Sequence, residues 1–156
     1  MKNIQPFLAA LNDTTIRKRV DAAVHLGKSG DLSAIGPLGS SIDDPHPAVR
    51  LEIARALGRL GDSEGLPFLI NALQDKEPEV RAAAIAALGK IKDPAAAMAL
   101  VACLQDKVME VRIGAAEVLG KLGSKKTIPN LKPLTGDPFS EVREAALAAI
   151  ARLEKT

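Results

Sequence analysis

A period of 31 residues runs through the chain. Aspartate recurs at Asp13, Asp44, Asp75, Asp106 and Asp137, and arginine at Arg19, Arg50, Arg81, Arg112 and Arg143. Gly27, Gly58, Gly89 and Gly120 keep the same step, with Ala151 in the fifth place, and Asp31, Asp62, Asp93 and Ser124 follow it too. A fixed period of roughly 20–50 residues marks an array of stacked supersecondary units. Five such units fill the 156 residues. One repeat domain over residues 1–156 is therefore expected, with repeats at about 1–30, 31–61, 62–92, 93–123 and 124–156.

Each unit reads as two helices. Hydrophobic residues make up 47% of the chain but aromatics only 2%, so the apolar content is mostly Ala and Leu, the best helix formers. The first stretch of a unit places apolar residues at i, i+3 and i+7: Ile4/Phe7/Leu11, Ile35/Leu38/Ile42 and Leu66/Leu69/Leu73. That spacing predicts one face of a helix about ten residues long. The second begins after the repeating Asp, as in Val80, Ala84, Ile85, Leu88 and Ile91. Gly30, Gly61 and Gly123 suit left-handed C-caps, and Asp31, Asp62, Asp93 and Ser124 suit the N-caps of the following first helices. Pro45, Pro78 and Pro138 are expected at the starts of second helices. One hairpin cannot bury its apolar face alone, and neighbours must share a core. Alanine columns (Ala22, Ala84, Ala115, Ala146; Ala23, Ala54, Ala116) would let them approach closely. The expected fold is an all-α, right-handed α-solenoid of five helical hairpins.

Composition excludes several kinds of chemistry. Net charge is +2, which gives no global attraction to nucleic acid or an anionic membrane. One Cys rules out an internal disulfide and a Cys-based metal cluster, and two His cannot build a His-rich site. No apolar run of about 18 residues is present to span a membrane. Residues 1–11 show neither a signal-peptide core nor a cleavage pattern, so a cytoplasmic protein is expected.

The segments DPHPAVRLEIARALGRLGD, DKEPEVRAAAIAALGKIKD and DKVMEVRIGAAEVLGKLGS resemble HEAT repeats of the short, 31-residue kind, also called phycobilin-lyase-type HEAT-like repeats. The resemblance covers all five units. The end units depart from the pattern. Repeat one has Lys18 in the Val column and Ser29 in the Leu/Ile column; repeat five has Pro133 in its first helix and Glu154 in place of Gly. A terminal unit has one neighbour, so polar replacements there are expected to cap the stack.

The resemblance implies that the aspartate and arginine columns form a structural ladder between adjacent repeats: Asp44, Arg50, Asp75, Arg81, Asp106 and Arg112. Repetition in every unit favours stacking over catalysis, which needs one unique constellation. Cys103 shares a column with Ala10, Ala72 and Leu134 and reads as a buried spacer. His25 stands in a column otherwise Ala or Val and is expected to be partly buried; His46 lies on a loop between two prolines. Deoxyhypusine hydroxylase, a HEAT-like enzyme family, holds iron through His-Glu pairs. No His-Glu dipeptide occurs here, so no catalytic residue, metal or cofactor is expected. HEAT-like DNA glycosylases use aromatic residues on a basic face, and this chain has no Trp or Tyr. One feature favours nucleic acid: a basic row of Lys28, Arg59, Lys90, Lys121 and Arg152. Its structural explanation is that each residue complements the dipole of a second helix at its last turn.

Removing the buried stripe of the second helices leaves an exposed one at i, i+3, i+4, i+7 and i+11. By resemblance, it faces the concave groove. Its rows hold Val20, Leu51, Ala82 and Ile113; Val24, Arg55, Ala86 and Glu117; and Glu52 among the flanking positions. A partly apolar floor between an acidic and a basic edge suits a partner helix or extended segment. The expected function is a non-enzymatic scaffold or adaptor for a protein partner. The resemblance also suggests an accessory subunit similar to phycobilin lyases or phycobilisome-degradation factors.

Overall fold

The computed structural model describes residues 3–156, and among them every regular element is helical. Contacts divide the chain into two compact units, Met1–Ile91 and Lys92–Thr156. The first holds α1 (Gln5–Ala10), α2 (Ile16–Ser29), α3 (Ile35–Ser40), α4 (Pro47–Leu60), α5 (Leu66–Ala72) and α6 (Pro78–Ile91). The second holds α7 (Ala97–Val101), α8 (Met109–Leu122), α9 (Ile128–Leu131) and α10 (Ser140–Glu154). Unit one thus contains three hairpins and unit two contains two.

The second helices are long: α2, α4, α6 and α8 each span 14 residues and α10 spans 15. The first helices are not the ten-residue α-helices that the spacing predicts. Each after α1 opens with a 3-10 turn, such as Leu32–Ala34 before α3 and Ser63–Gly65 before α5. In unit two α7 and α9 also close in 3-10 geometry, at Ala102–Gln105 and Lys132–Gly136. Pro133 lies in the latter and has no N–H to continue the α-helical bonding. Asp31, Asp62 and Asp93 cap these opening turns by accepting the N–H two residues on, at 3.0, 2.9 and 2.9 Å. Ser124 makes no such side-chain bond.

The starts of the second helices also differ from expectation. In α4 the N1 residue is Pro47, and Pro45 lies outside the helix. His46 is the N-cap, its Nδ1 accepting from the Ala48 N–H at 3.2 Å. Pro138 precedes the N-cap Phe139, whereas Pro78 does begin α6. The repeating aspartate explains the shift. Asp13, Asp44, Asp75, Asp106 and Asp137 each accept the N–H two residues on, at 2.8–3.0 Å. The residue two on is then an extended N-cap (Thr15, His46, Val108 and Phe139), and the helix starts only beyond it.

Within each unit the core is a column of leucine and isoleucine. Leu26, Leu38, Ile53 and Leu69 in unit one, and Leu100, Leu119 and Leu131 in unit two, are 0% exposed. Each such side chain contributes about 1.5–3 kcal/mol on burial.

Gly30, Gly61 and Gly123 end their helices at φ 75°, 71° and 76°, as expected of left-handed caps. Lys92, in the same column after α6, takes φ 60°. A side chain strains this conformation by about 1 kcal/mol. Lys92→Gly is therefore expected to raise stability by about 0.5–1 kcal/mol, read as a higher denaturant midpoint. A lower midpoint would show that the lysine side chain contributes more than its backbone loses.

Candidate functional site

The turns between helices form a repeated polar frame. In all five repeats the arginine Nη1 donates to the carbonyl of its own turn aspartate, six residues back, at 2.7–2.9 Å. The other edge of the guanidinium reaches the next turn. Nε and Nη2 of Arg19 donate to the Asp44 carboxylate at 2.7 and 3.1 Å, and those of Arg50 to Asp75 at 2.7 and 3.0 Å. In unit two Arg112 holds Asp137 at 2.9 and 3.1 Å. Side-chain exposure is 8% and 10% for Arg50 and Asp75, so water screens this pair weakly. Burial works against ionisation of Asp44 and Asp75; the arginine fork and the turn N–H overcome it and hold both carboxyls below their ordinary value. For Asp137 the Arg112 fork is the largest influence, and it acts in the same direction.

The frame sets consecutive second helices close together, and the glycine column fixes how close. A Cβ on Gly27 would lie 2.6 Å from the Ala56 Cα, and one on Gly58 2.7 Å from the Ala87 Cβ. In unit two a Cβ on Gly120 would lie 3.0 Å from the Ala149 Cα. Such contacts leave a shallow cleft along the outer face, floored by glycine and alanine. Between α4 and α6 the cleft measures about 520 Å³, with Leu51, Ala82, Ala83 and Ala86 on its floor and Arg55, Arg59, Lys90 and Glu79 on its rim. Between α8 and α10 a cleft of about 550 Å³ lies in the same register, with Gly120, Ala145, Ala148 and Ala149 below and Glu117, Lys121, Arg152 and Lys155 around it. The apolar share of both is built chiefly from small side chains; of Val20, Leu51 and Ile113, Leu51 alone lines either cleft.

The row of Val20, Leu51, Ala82 and Ile113 is not freely exposed: all four are half-buried, as is Val24. The close helix approach covers one flank of each side chain and leaves the other to solvent. Arg55, Ala86 and Glu117 are exposed. Glu52 was expected on the open stripe, but its side chain is only 12% exposed. It accepts from Arg55 Nη1 at 2.8 Å and from Arg59 Nη1 at 3.3 Å, drawing two rim cations onto one carboxylate. The basic row lies where the spacing puts it, with Lys28, Arg59, Lys90, Lys121 and Arg152 exposed in the last turns of their helices. Glu79 lies on the acidic edge expected of the groove, whereas Lys155 lay outside the expected site. The signal that could have found Lys155 is the glycine–alanine pairing, which locates the cleft beside it.

Cys103 is buried at 5% exposure. His25 is exposed rather than partly buried; its ring stacks on Phe7, centroids 4.4 Å apart and 14° from parallel. Among the described residues no three His, Cys, Asp or Glu side chains are grouped to hold a metal ion. Among the same residues no helix is long and apolar enough to cross a membrane.

Comparison with known proteins places this architecture. A search of curated proteins finds no match. Among solved structures, a chain of the CpcE–CpcF complex of phycocyanin lyase from Nostoc sp. PCC7120 superposes with a TM-score of 0.84 at 29% identity. The match covers 100% of this chain and 66% of that one, so this chain spans just under two thirds of its relative. YibA of E. coli matches with a TM-score of 0.71 at 27% identity over 99% of this chain and 60% of the other. A designed armadillo repeat protein in complex with the peptide (KR)4 matches in fold alone, with a TM-score of 0.77 at 20% identity over 96% and 81%. The model of HEAT repeats matches residues 4–77 and 66–151. With its five Asp–Arg turns, its glycine-spaced second helices and a family match across nearly its whole length, the chain belongs to the HEAT-repeat family.

Proposed function

We propose that this protein is a non-catalytic binding module that holds a protein partner against the outer face of its second helices. The observation that carries this reading is the recurrence of one cleft, at one register, in both units. Its small-residue floor admits a partner's aliphatic side chains close to the backbone, and its charged rim orients them. The residues flanking the clefts repeat with the architecture, whereas a reaction centre requires a constellation found once. Two of the similar structures are repeat proteins seen in complexes, one with a protein and one with a peptide.

A photo-crosslinking amino acid at Ala86 or Ala148, one in each cleft, is expected to yield adducts with the same partner polypeptide in the native cell. The same probe at Met98, 63% exposed on α7, is expected to yield none. Adducts from Met98 without any from the clefts would overturn the assignment of the face.

The 29% identity and TM-score of 0.84 to the phycocyanin lyase complex favour a second reading, in which the partner is another subunit of a bilin-attaching assembly. Co-expression with a phycobiliprotein subunit and bilin tests it: a covalent shift in bilin absorbance that depends on this chain supports an accessory role, and an unchanged spectrum removes it.

A further inference from the structure

The cleft between α4 and α6 is electrically one-sided. Arg55, Arg59 and Lys90 line it against a single carboxylate, Glu79. Glu79 and Lys90 lie eleven residues apart on α6, about 16 Å along the helix axis. Arg59 holds the place on α4 that Lys90 holds on α6, one period earlier, and Arg55 lies one turn before it. Three cations therefore gather towards one end of the cleft, and the acid stands at the other. The apolar floor between them is Leu51, Ala82, Ala83 and Ala86.

The helix dipole explains a cation in the last turn of each long helix, and so explains Arg59 and Lys90. It does not explain Arg55, which lies in the middle of α4. Glu52 gathers Arg55 to Arg59. Its side chain is 12% exposed, lies outside the cleft lining and accepts one N–H from each arginine. A guanidinium carries five donors, so both arginines keep donors for a second carboxylate. Side chains already held in place lose less freedom on binding. Lys90 makes no ion pair among the described residues. Unit two offers a comparison. In its own cleft Glu117 occupies the column of Arg55, so a carboxylate stands where unit one has a cation.

We infer, on the reading that the outer face of the second helices holds a protein partner, that the α4–α6 cleft receives an acidic segment of that partner. Its Asp or Glu side chains meet Arg55, Arg59 and Lys90, and a short apolar side chain beside them lies on Ala82, Ala83 and Ala86. Guanidinium groups suit this role because they bind carboxylates through charge-assisted, often paired, N–H donors. A nucleic acid is a poorer occupant. It carries a charge at every residue and would bring phosphates against Glu79, whereas a peptide can place a neutral residue there. Neither cleft is lined by an aromatic side chain on which a base could stack.

The test uses the intact chain and short labelled peptides that alternate alanine with glutamate, glutamine or lysine, read by fluorescence anisotropy. The glutamate peptide is expected to bind, and the glutamine and lysine peptides to bind at least about tenfold more weakly. Arg55→Glu with Lys90→Glu should weaken the glutamate peptide by about tenfold or more. Lys76→Glu with Lys107→Glu makes the same change of net charge at exposed turn positions outside both clefts, and should weaken it by less than about twofold. Equal losses from the two pairs, or equal binding of the three peptides, would overturn the inference. Glu117→Arg gives unit two the cation of unit one and should strengthen binding, a gain that misfolding cannot imitate; unchanged binding would count against the assigned cations. An oligonucleotide that binds more tightly than the glutamate peptide, and is lost with Arg55→Glu and Lys90→Glu, would overturn the choice of occupant. In the native cell, the partner peptide crosslinked through Ala86 should contain Asp or Glu. Adducts at Ala86 on a stretch without acidic residues would remove the acidic segment and leave the face assignment standing. Adducts from Met98 alone would remove both.

Discussion

A methyl group added at Gly58 is expected to destabilise the protein by about 1–3 kcal/mol, the range for overpacking a close contact. The new Cβ would lie 2.7 Å from the Ala87 Cβ and 2.8 Å from its Cα. Neither atom is the end of a flexible side chain, so α4 and α6 must move apart, and the Arg50 fork that spans their turns must stretch. Gly58→Val should cost more. Gly36→Ala makes the matching control: it lies on α3, is exposed, and a Cβ there meets nothing within 4 Å. Replacing glycine in a helix where space is free gains about 0.5–1 kcal/mol. The two alanine variants should therefore move the melting temperature in opposite directions, by about 2–4 °C per kcal/mol for a chain of this size. Equal shifts would mean that the glycine column does not set the helix spacing.

The second large effect concerns the turn frame. Arg50→Ala is expected to cost about 3 kcal/mol, because removing one partner of a buried ion pair strands the other. Arg55→Ala, with a side chain 52% exposed, should cost less than about 1 kcal/mol even though Arg55 also pairs with a carboxylate. Arg50→Lys should recover little: an ammonium cannot serve Asp75 in two places and the Asp44 carbonyl in a third.

The frame also predicts a pH dependence. The carboxyls of Asp44, Asp75 and Asp137 lie below their ordinary value in the folded protein. In acid the unfolded chain then binds more protons than the folded one, so stability rises with pH in that window. The stabilisation is complete above the ordinary carboxylate range, near about pH 5, and is lost as pH falls through the lowered folded values. Arg50→Ala removes the main group holding Asp75 down, so its stability should fall less steeply between about pH 5 and pH 3 than that of the wild type. A parallel acid profile would show that the Glu77 N–H, not the guanidinium, controls that carboxyl.

Much of this molecule is written in its period. The 31-residue step of Asp, Arg and Gly specifies how many hairpins form and which positions face a neighbour. It does so because the same local contacts must be satisfied in every unit. Caps at Gly30, Gly61 and Gly123 are legible for the same reason: a left-handed φ strains every residue except glycine. The arginine and aspartate columns name the polar frame, but not that one guanidinium edge serves its own turn while the other serves the next. That division depends on where the following turn lies in space. Apolar spacing does not report the 3-10 openings of the first helices either, three of which carry an aspartate that accepts the N–H two residues on.

The candidate site shows the limit more sharply. Side-chain periodicity separates a buried stripe from an outer one, and so finds the face on which Leu51, Arg55 and Ala86 lie. It cannot tell that Leu51 is half-covered, because that follows from the distance between helices; the pairing of Glu52 with Arg55 and Arg59, by contrast, runs along α4 itself. Leu147 shares its column with Ala23, Ala54 and Ala116, each 0% exposed, yet is itself 55% exposed. Burial belongs to a residue together with its neighbour in space. Tertiary structure alone shows that one column is core at Ala116 and open at Leu147.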